Sequence, residues 1–189
     1  MTDQPLKILL EMRPALDGHA GIPQEARLLF RGLSLLEEFA VEGLIQHSGN
    51  VLARGLPPRG DTLSADRRLN RLSRVVISLQ QDLASPHLHG ALMTMRRLAG
   101  RREPLPRFDP AHFRDFIWRR LFARTLPPED FDAVTRAGFR LARVPWTAMH
   151  RAALAMRWTG SPVYPRLDTG GFDLMIAETP YPATVSPGT

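Results

Sequence analysis

An apolar run, Leu6-Lys7-Ile8-Leu9-Leu10-Glu11-Met12, is halted by Arg13-Pro14 and followed by a loop holding Asp17, Gly18, His19, Ala20 and Gly21. A short apolar run closed by proline reads as a buried strand of the parallel type. Pro23 then stands where a first helical turn tolerates proline, and Glu25 sits where the positive end of a helix dipole favours an acid. Ile22, Ala26, Leu29, Phe30, Leu33 and Leu36 recur at helical spacing, so a helix starting near Pro23 is predicted. Gly32 inside it is expected to permit close packing on a sheet. Phe39 to Gln46 is a second strand, which completes a strand–loop–helix–strand unit with a right-handed crossover.

The middle of the chain is read as helical and rich in arginine. Leu69, Leu72, Val76, Leu79 and Leu83 share one helical face, with Arg67, Arg71 and Arg74 opposite. Further helices are predicted over His87 to Leu98, Ala111 to Ala123 and Trp146 to Trp158, with a turn or helix around Glu129 to Ala137. Gly100 to Pro110 is a connection rich in proline and arginine. Phe172 to Ala177 is the last strand, entering Glu178-Thr179-Pro180-Tyr181-Pro182, and the sequence stops at Ser186-Pro187-Gly188-Thr189 with no closing helix. The expectation is one α/β domain over residues 1–189: a Rossmann-like, mostly parallel sheet flanked by helices, with a helical, arginine-rich insertion at about 62–165.

Composition narrows the chemistry. The 189 residues hold no cysteine, which removes disulfides, cysteine-ligated metals and thiol nucleophiles, and suits a reducing cytosol. No apolar run nears the roughly 18 residues of a spanning helix, and Met1 to Pro5 has none of the features of a signal peptide. The net charge of +6 is concentrated between Arg96 and Arg124, where nine arginines face three acids, Glu103, Asp109 and Asp115. Such a block suits an anionic membrane surface, an anionic substrate or nucleic acid, or is a solvated face with arginines spent on internal acids.

Short motifs are weighed against plainer readings. Gly18 to Gly21 lies between a strand and a helix, where a small residue lets a ligand approach backbone N–H groups, or simply makes a tight turn. Asp130-Phe131-Asp132 could offer oxygens to a divalent metal, but acids after Pro127-Pro128 suit a helix start better. His87 and His89 have no third ligand at a known spacing and fit a helix start after Pro86. Trp118, Trp146 and Trp158 are expected as core or interface anchors rather than stacking platforms. There is no nucleophile elbow and no P-loop.

The opening KILLEMRPALDGHAGIPQEARLLFRGL and the closing FDLMIAETPYPATVSPGT together resemble the N-terminal, acceptor-side domain of GT-B glycosyltransferases of family four, also called group one. Gly21 and Ile22 match the start of that family's G-I-G-R-Y loop, and Leu28 to Leu36 its apolar helix; Pro23, Gln24 and Glu25 replace the Gly-Arg-Tyr. Phe172 to Pro182 is similar to the family's strand in which an aspartate precedes an apolar run and a proline-containing loop faces the acceptor. The His-Asp-type loop and the E-x7-E pair of the donor half are not in this sequence.

The resemblance implies a cytoplasmic hexosyltransferase-like enzyme of polysaccharide biosynthesis, retaining and metal-independent, with no further cofactor. It would move a sugar from a nucleotide-sugar donor, held by a C-terminal domain absent here, to a saccharide or lipid-linked acceptor, and this half alone would be inactive. Gly21 is the expected substrate-binding residue, and Arg13, His19, Gln24 and Glu178 join it by loop position; no catalytic side chain and no metal ligand is assigned. The basic block would favour peripheral binding to the anionic inner face of the membrane. The alternative is a basic α/β module that contacts RNA or a protein, although nucleic acid is the less favoured partner because it leaves the strand–glycine–helix opening unexplained.

Overall fold

The computed structural model describes residues 4–16, 18–46, 86–108, 110–112, 114–142, 164–181 and 183–185, together with Trp146, Met149, His150, Leu154 and Gly160. Among these residues, five strands form one sheet: β1 (Leu6–Glu11), β2 (Phe39–Gln46), β3 (Arg107–Phe108), β4 (Gly138–Ala142) and β5 (Leu174–Ile176), in the order β3-β4-β2-β1-β5. β1 pairs in parallel with β2 and with β5, β2 pairs in parallel with β4, and only the two-residue β3 is antiparallel, on the edge. The helices are α1 (Ile22–Leu35), α2 (Pro86–Leu98), the single turn α3 (Arg114–Ile117) and α4 (Phe131–Arg136). The class is α/β, with four parallel strands flanked by helices, consistent with a Rossmann-like arrangement.

The opening unit forms as the sequence predicts. Ile8, Leu10 and Met12 point to one face and meet Val41, Ile45, Phe139 and Leu141 from the neighbouring strands. α1 lays Ala26 and Phe30 on that face, with Leu29 and Leu33 partly buried beside them; Ile22 and Leu36, at either end of the predicted stripe, are exposed. Gly32 does not serve as a packing glycine, because a Cβ there would meet nothing within 4 Å. Gly43 on β2 is the close-approach position. A Cβ on it would lie 2.6 Å from the Phe139 ring and 2.9 Å from Met12 Cγ, so the stack of Phe139 on Phe30, with centroids 5.8 Å apart, depends on a bare backbone at Gly43. Leu9, Leu44 and Ala142 face the other way, against Leu105 and Leu167. That face continues through Tyr181 and Ala183 to Met93 of α2 and Met149.

The middle departs from its prediction in two places, while the turn or helix expected around Glu129 to Ala137 is present. Gly138–Ala142 is an internal strand of the sheet, so the expected insertion at about 62–165 is not wholly helical. Phe139 and Leu141 are buried while Arg140 pairs with Glu42 of β2 at 2.5 Å, an alternation of period two too short to stand out after a helix. The predicted helix over Ala111 to Ala123 is broken into a 3-10 turn (Pro110–His112), α3 and a π turn (Trp118–Phe122), in which the Ala123 N–H donates to Trp118 O. The stretch around Glu129 to Ala137 is a 3-10 turn (Pro128–Asp130) running into α4. α2 and the described residues of 146–158 are helical, as expected. The amphipathic segment with Arg67, Arg71 and Arg74, Asp17 and Trp158 lie outside the described residues.

Arg27 locks the opening loop to this broken helix. Fully buried on α1, its guanidinium donates to Leu121 O and Ala15 O (both 2.7 Å), Thr125 Oγ1 (2.8 Å) and Gly18 O (3.0 Å). A buried cation is tolerable only when its donors are met, and four acceptors, two from residues 15–18 and two from residues 121–125, meet this one.

Candidate functional site

Strand order reverses at β1: its successor β2 lies on one side and β5 on the other. In open parallel sheets such a reversal leaves a crevice at the carboxyl ends of the two diverging strands, which is where ligands bind. Here those ends are Glu11 to Arg13 and Ala177 to Thr179. α1 begins at the same edge. Its cap, Gly21, has φ 72°, in the left-handed region that glycine enters without strain, and no neighbour stands within 4 Å of where a Cβ would be.

The last residue of β1, Glu11, is fully buried. Arg13 Nε donates to Glu11 Oε1 (3.0 Å) and Arg13 Nη2 to Thr179 Oγ1 (2.7 Å), while the threonine hydroxyl donates to Glu11 Oε2 (3.2 Å). This closed triangle ties the end of β1 to the loop after β5. Burial pushes the Glu11 carboxyl above its ordinary range, and the Arg13 charge and the two hydrogen-bonded partners pull against that. On its other side the Arg13 guanidinium lies 4.8 Å from the Trp146 ring centroid, and Trp146 stacks on His150 at 4.9 Å. Trp146 is partly buried against Met93 and Met149, so it ties Arg13 to the core on that side.

Glu178, next to this triangle, is treated very differently. Both its carboxylate oxygens are buried and neither has a hydrogen-bond partner among the described residues. Its pKa is pushed up to about 7, first by desolvation and then by the negative charges of Glu25 and Glu11. Burial and like charge act in the same direction here, and each disfavours the carboxylate.

The five residues singled out in the sequence thus divide. Arg13 and Glu178 follow the carboxyl ends of β1 and β5, and Gly21 caps α1 at the same edge. His19 and Gln24 are exposed beside Gly21, and the Gln24 amide is turned inward to Gly21 O (3.0 Å). The Glu25 amide also donates to Gly21 O (3.0 Å), and Pro23 has no N–H. With the Gln24 and Glu25 amides spent on Gly21 O and no N–H on Pro23, this helix start offers few donors to a phosphate. Sequence reading passed over Glu11 and Thr179. The available signal was an acid closing an otherwise apolar strand, where a charge is expensive to bury without a purpose.

The other constellations resolve structurally. Asp130 pairs with Arg31 (2.6 Å), and Asp132 with Arg114 and Arg136, so both carboxylates of the D-x-D are held by arginine at a helix start. No group of three or more potential metal ligands occurs among the described residues. His87 and His89 lie in the first turn of α2. Trp118 packs on the core and meets Phe131 edge-on at 5.7 Å. Asp173, the acid of the closing motif, works at the opposite edge: its carboxylate accepts the Lys7 N–H (2.8 Å) and so aligns β5 on β1. Within the basic block, Arg96 pairs with Glu103, Arg102 with Asp168, Arg107 with Glu42 and Arg114 with Asp132. Among the described residues no helix is long and apolar enough to cross a membrane.

No protein-family model matches the chain, and no curated protein and no solved structure is significantly similar to it.

Proposed function

We propose that this chain is the acceptor-side domain of a GT-B glycosyltransferase, the half that presents a saccharide or lipid-linked acceptor to a nucleotide-sugar donor held by a second domain. The observation that carries the reading is the joining of Glu11, Arg13 and Thr179 at the carboxyl ends of β1 and β5, where strand order reverses beside the glycine-led start of α1. Carboxylates and a guanidinium packed together suit a ligand rich in hydroxyl groups, which both donates and accepts. The same charges oppose a diphosphate, which fits a division of labour in which the partner domain holds the donor phosphates. Transfer would then draw on positioning of the acceptor at the domain interface and on stabilisation of the departing diphosphate by the other half. The basic block would assist a lipid-linked acceptor through its exposed arginines, such as Arg119, at about 1 kcal/mol each near anionic lipid. Pairing of Arg96, Arg102, Arg107 and Arg114 with acids reduces what the block can offer.

Titration of the chain with UDP, GDP, their sugar conjugates and a panel of oligosaccharides, followed by amide NMR, tests this. Saccharides should shift the signals of Glu11 to Arg13 and of Glu178 and Thr179, with weak affinity. A nucleotide bound below about 10 μM would mean that the chain owns a complete donor site, and the reading would fail.

A further inference from the structure

α2 carries an uncovered apolar face. Met93 is turned inward and packs with Met149 and Trp146, while Leu92, Met95 and Leu98 are 45%, 58% and 71% exposed. One leucine at a surface is ordinary, but three large apolar side chains within two turns of one helix form a patch, and such a patch marks an interaction site. The charge beside it has one sign. Between Pro86 and Arg102 there are four arginines, Arg96, Arg97, Arg101 and Arg102, and no acid. Arg96 reaches the buried Glu103 at 3.0 Å and Arg102 reaches Asp168 at 3.7 Å, whereas Arg97 and Arg101 have no acidic partner among the described residues.

The sheet divides the basic block. Its second half, Arg114 to Arg124, packs through Ile117, Leu121 and Phe122 on the face that holds α1, and α2 packs through Met93 on the other. Within the block, only the α2 half joins cations to exposed large apolar side chains. The helix has no Phe, Trp or Tyr to anchor in a protein pocket and no mixed charges to fix a register, so its pattern fits a fluid surface of opposite sign better than a protein groove. We propose that α2, with Arg97 and Arg101, is an interfacial helix that lies on an anionic lipid bilayer, its Leu92, Met95 and Leu98 entering the headgroup boundary and its arginines meeting lipid phosphates. This narrows the lipid contact proposed above to one helix and stands without the saccharide part of that reading.

The absence of cysteine makes the test direct. Leu98→Cys on α2 and Leu28→Cys on α1, both at exposed sites, take an environment-sensitive fluorophore, and the full chain is mixed with vesicles of phosphatidylcholine alone or with phosphatidylglycerol. A blue shift at position 98 only, and on the anionic vesicles only, is expected. Arg97→Gln combined with Arg101→Gln should weaken that binding about 25-fold, about fivefold for each arginine, and Met95→Ser about tenfold. Arg136→Gln, which removes an exposed charge from α4, should change it less than about twofold. Equal shifts at both positions, equal binding to neutral and anionic vesicles, or binding to neither would overturn the proposal. A dimer in sedimentation equilibrium that Met95→Ser dissolves would overturn it in favour of a second copy, and RNA bound as tightly as anionic vesicles and indifferent to Met95→Ser would overturn it in favour of nucleic acid. Vesicle binding by a chain whose signals no saccharide shifts would uphold it and sink the acceptor reading alone.

Discussion

Arg27 on α1 and Glu178 in the loop after β5 are two ionisable side chains whose polar ends are taken out of water. Every face of Arg27 is met: two carbonyls at 2.7 Å, one hydroxyl and a third carbonyl close it in. Glu178 has no such partner among the described residues, and its charge is further opposed by Glu25 and Glu11. Burial with full satisfaction stabilises a fold by fixing how its segments join. Burial without satisfaction costs stability, and a protein that retains such a group at the mouth of its parallel sheet is organised around something other than stability.

The contrast can be broken most severely at Arg27. Replacing it with methionine keeps the bulk but strands the carbonyls of Ala15, Gly18 and Leu121, and should cost about 3 kcal/mol or more, lowering the melting temperature by roughly 10 °C. A loss within about 0.5 kcal/mol would mean that water replaces the guanidinium and that the clamp is not structural. Gly43→Ala comes next. Its methyl would press into the Phe139 ring and Met12, so a destabilisation of about 1–3 kcal/mol is expected in chemical denaturation.

Glu178→Gln should act in the opposite direction and only in one range of pH. The folded-state pKa of Glu178 is raised, from 4.5 to about 7, so the native state holds the proton more tightly than the unfolded chain does. Its stabilising contribution is therefore complete below about pH 4.5 and is lost as pH rises through about 7. Glutamine removes that loss, and above pH 7 the variant should exceed the unaltered chain by on the order of 1 kcal/mol after allowance for solvent screening. Parallel stability curves for the two proteins from pH 5 to pH 8 would contradict this. The smallest effect is predicted at Gly32, where alanine meets open space and should stabilise α1 by about 0.5–1 kcal/mol, read as a shift in the denaturation midpoint. That gain would place α1's outer surface, like Arg27, with the part of the molecule that exists to hold shape.

Legibility in the sequence followed the same division. β1, α1 and β2 could be read because unbroken apolar runs and a 3.6-residue period survive in them, and because Pro14 and Pro23 mark where each element must stop or start. β4 escaped because only Phe139 and Leu141 alternate within it, and Arg140 between them looks like one more member of an arginine-rich stretch until Glu42 stands beside it. The break in the helix over Ala111 to Ala123 is invisible in sequence because a broad apolar face does not reveal that Leu121 O is committed to Arg27 from another element. At the site, Arg13 and Glu178 were reached through loop position. The partnership of Glu11 with Arg13 and Thr179 spans 168 residues of chain, and no local pattern announces a contact of that range.

The state of the Glu178 carboxyl itself bears most directly on this account. Carbon-detected NMR of the glutamate carboxyl resonances, followed from pH 4 to pH 9, assigns its pKa without reference to any ligand. A midpoint near 7 is the predicted result. A midpoint at the ordinary value of 4.5 would show that water or another group already satisfies the carboxyl, and would contradict the contrast with Arg27.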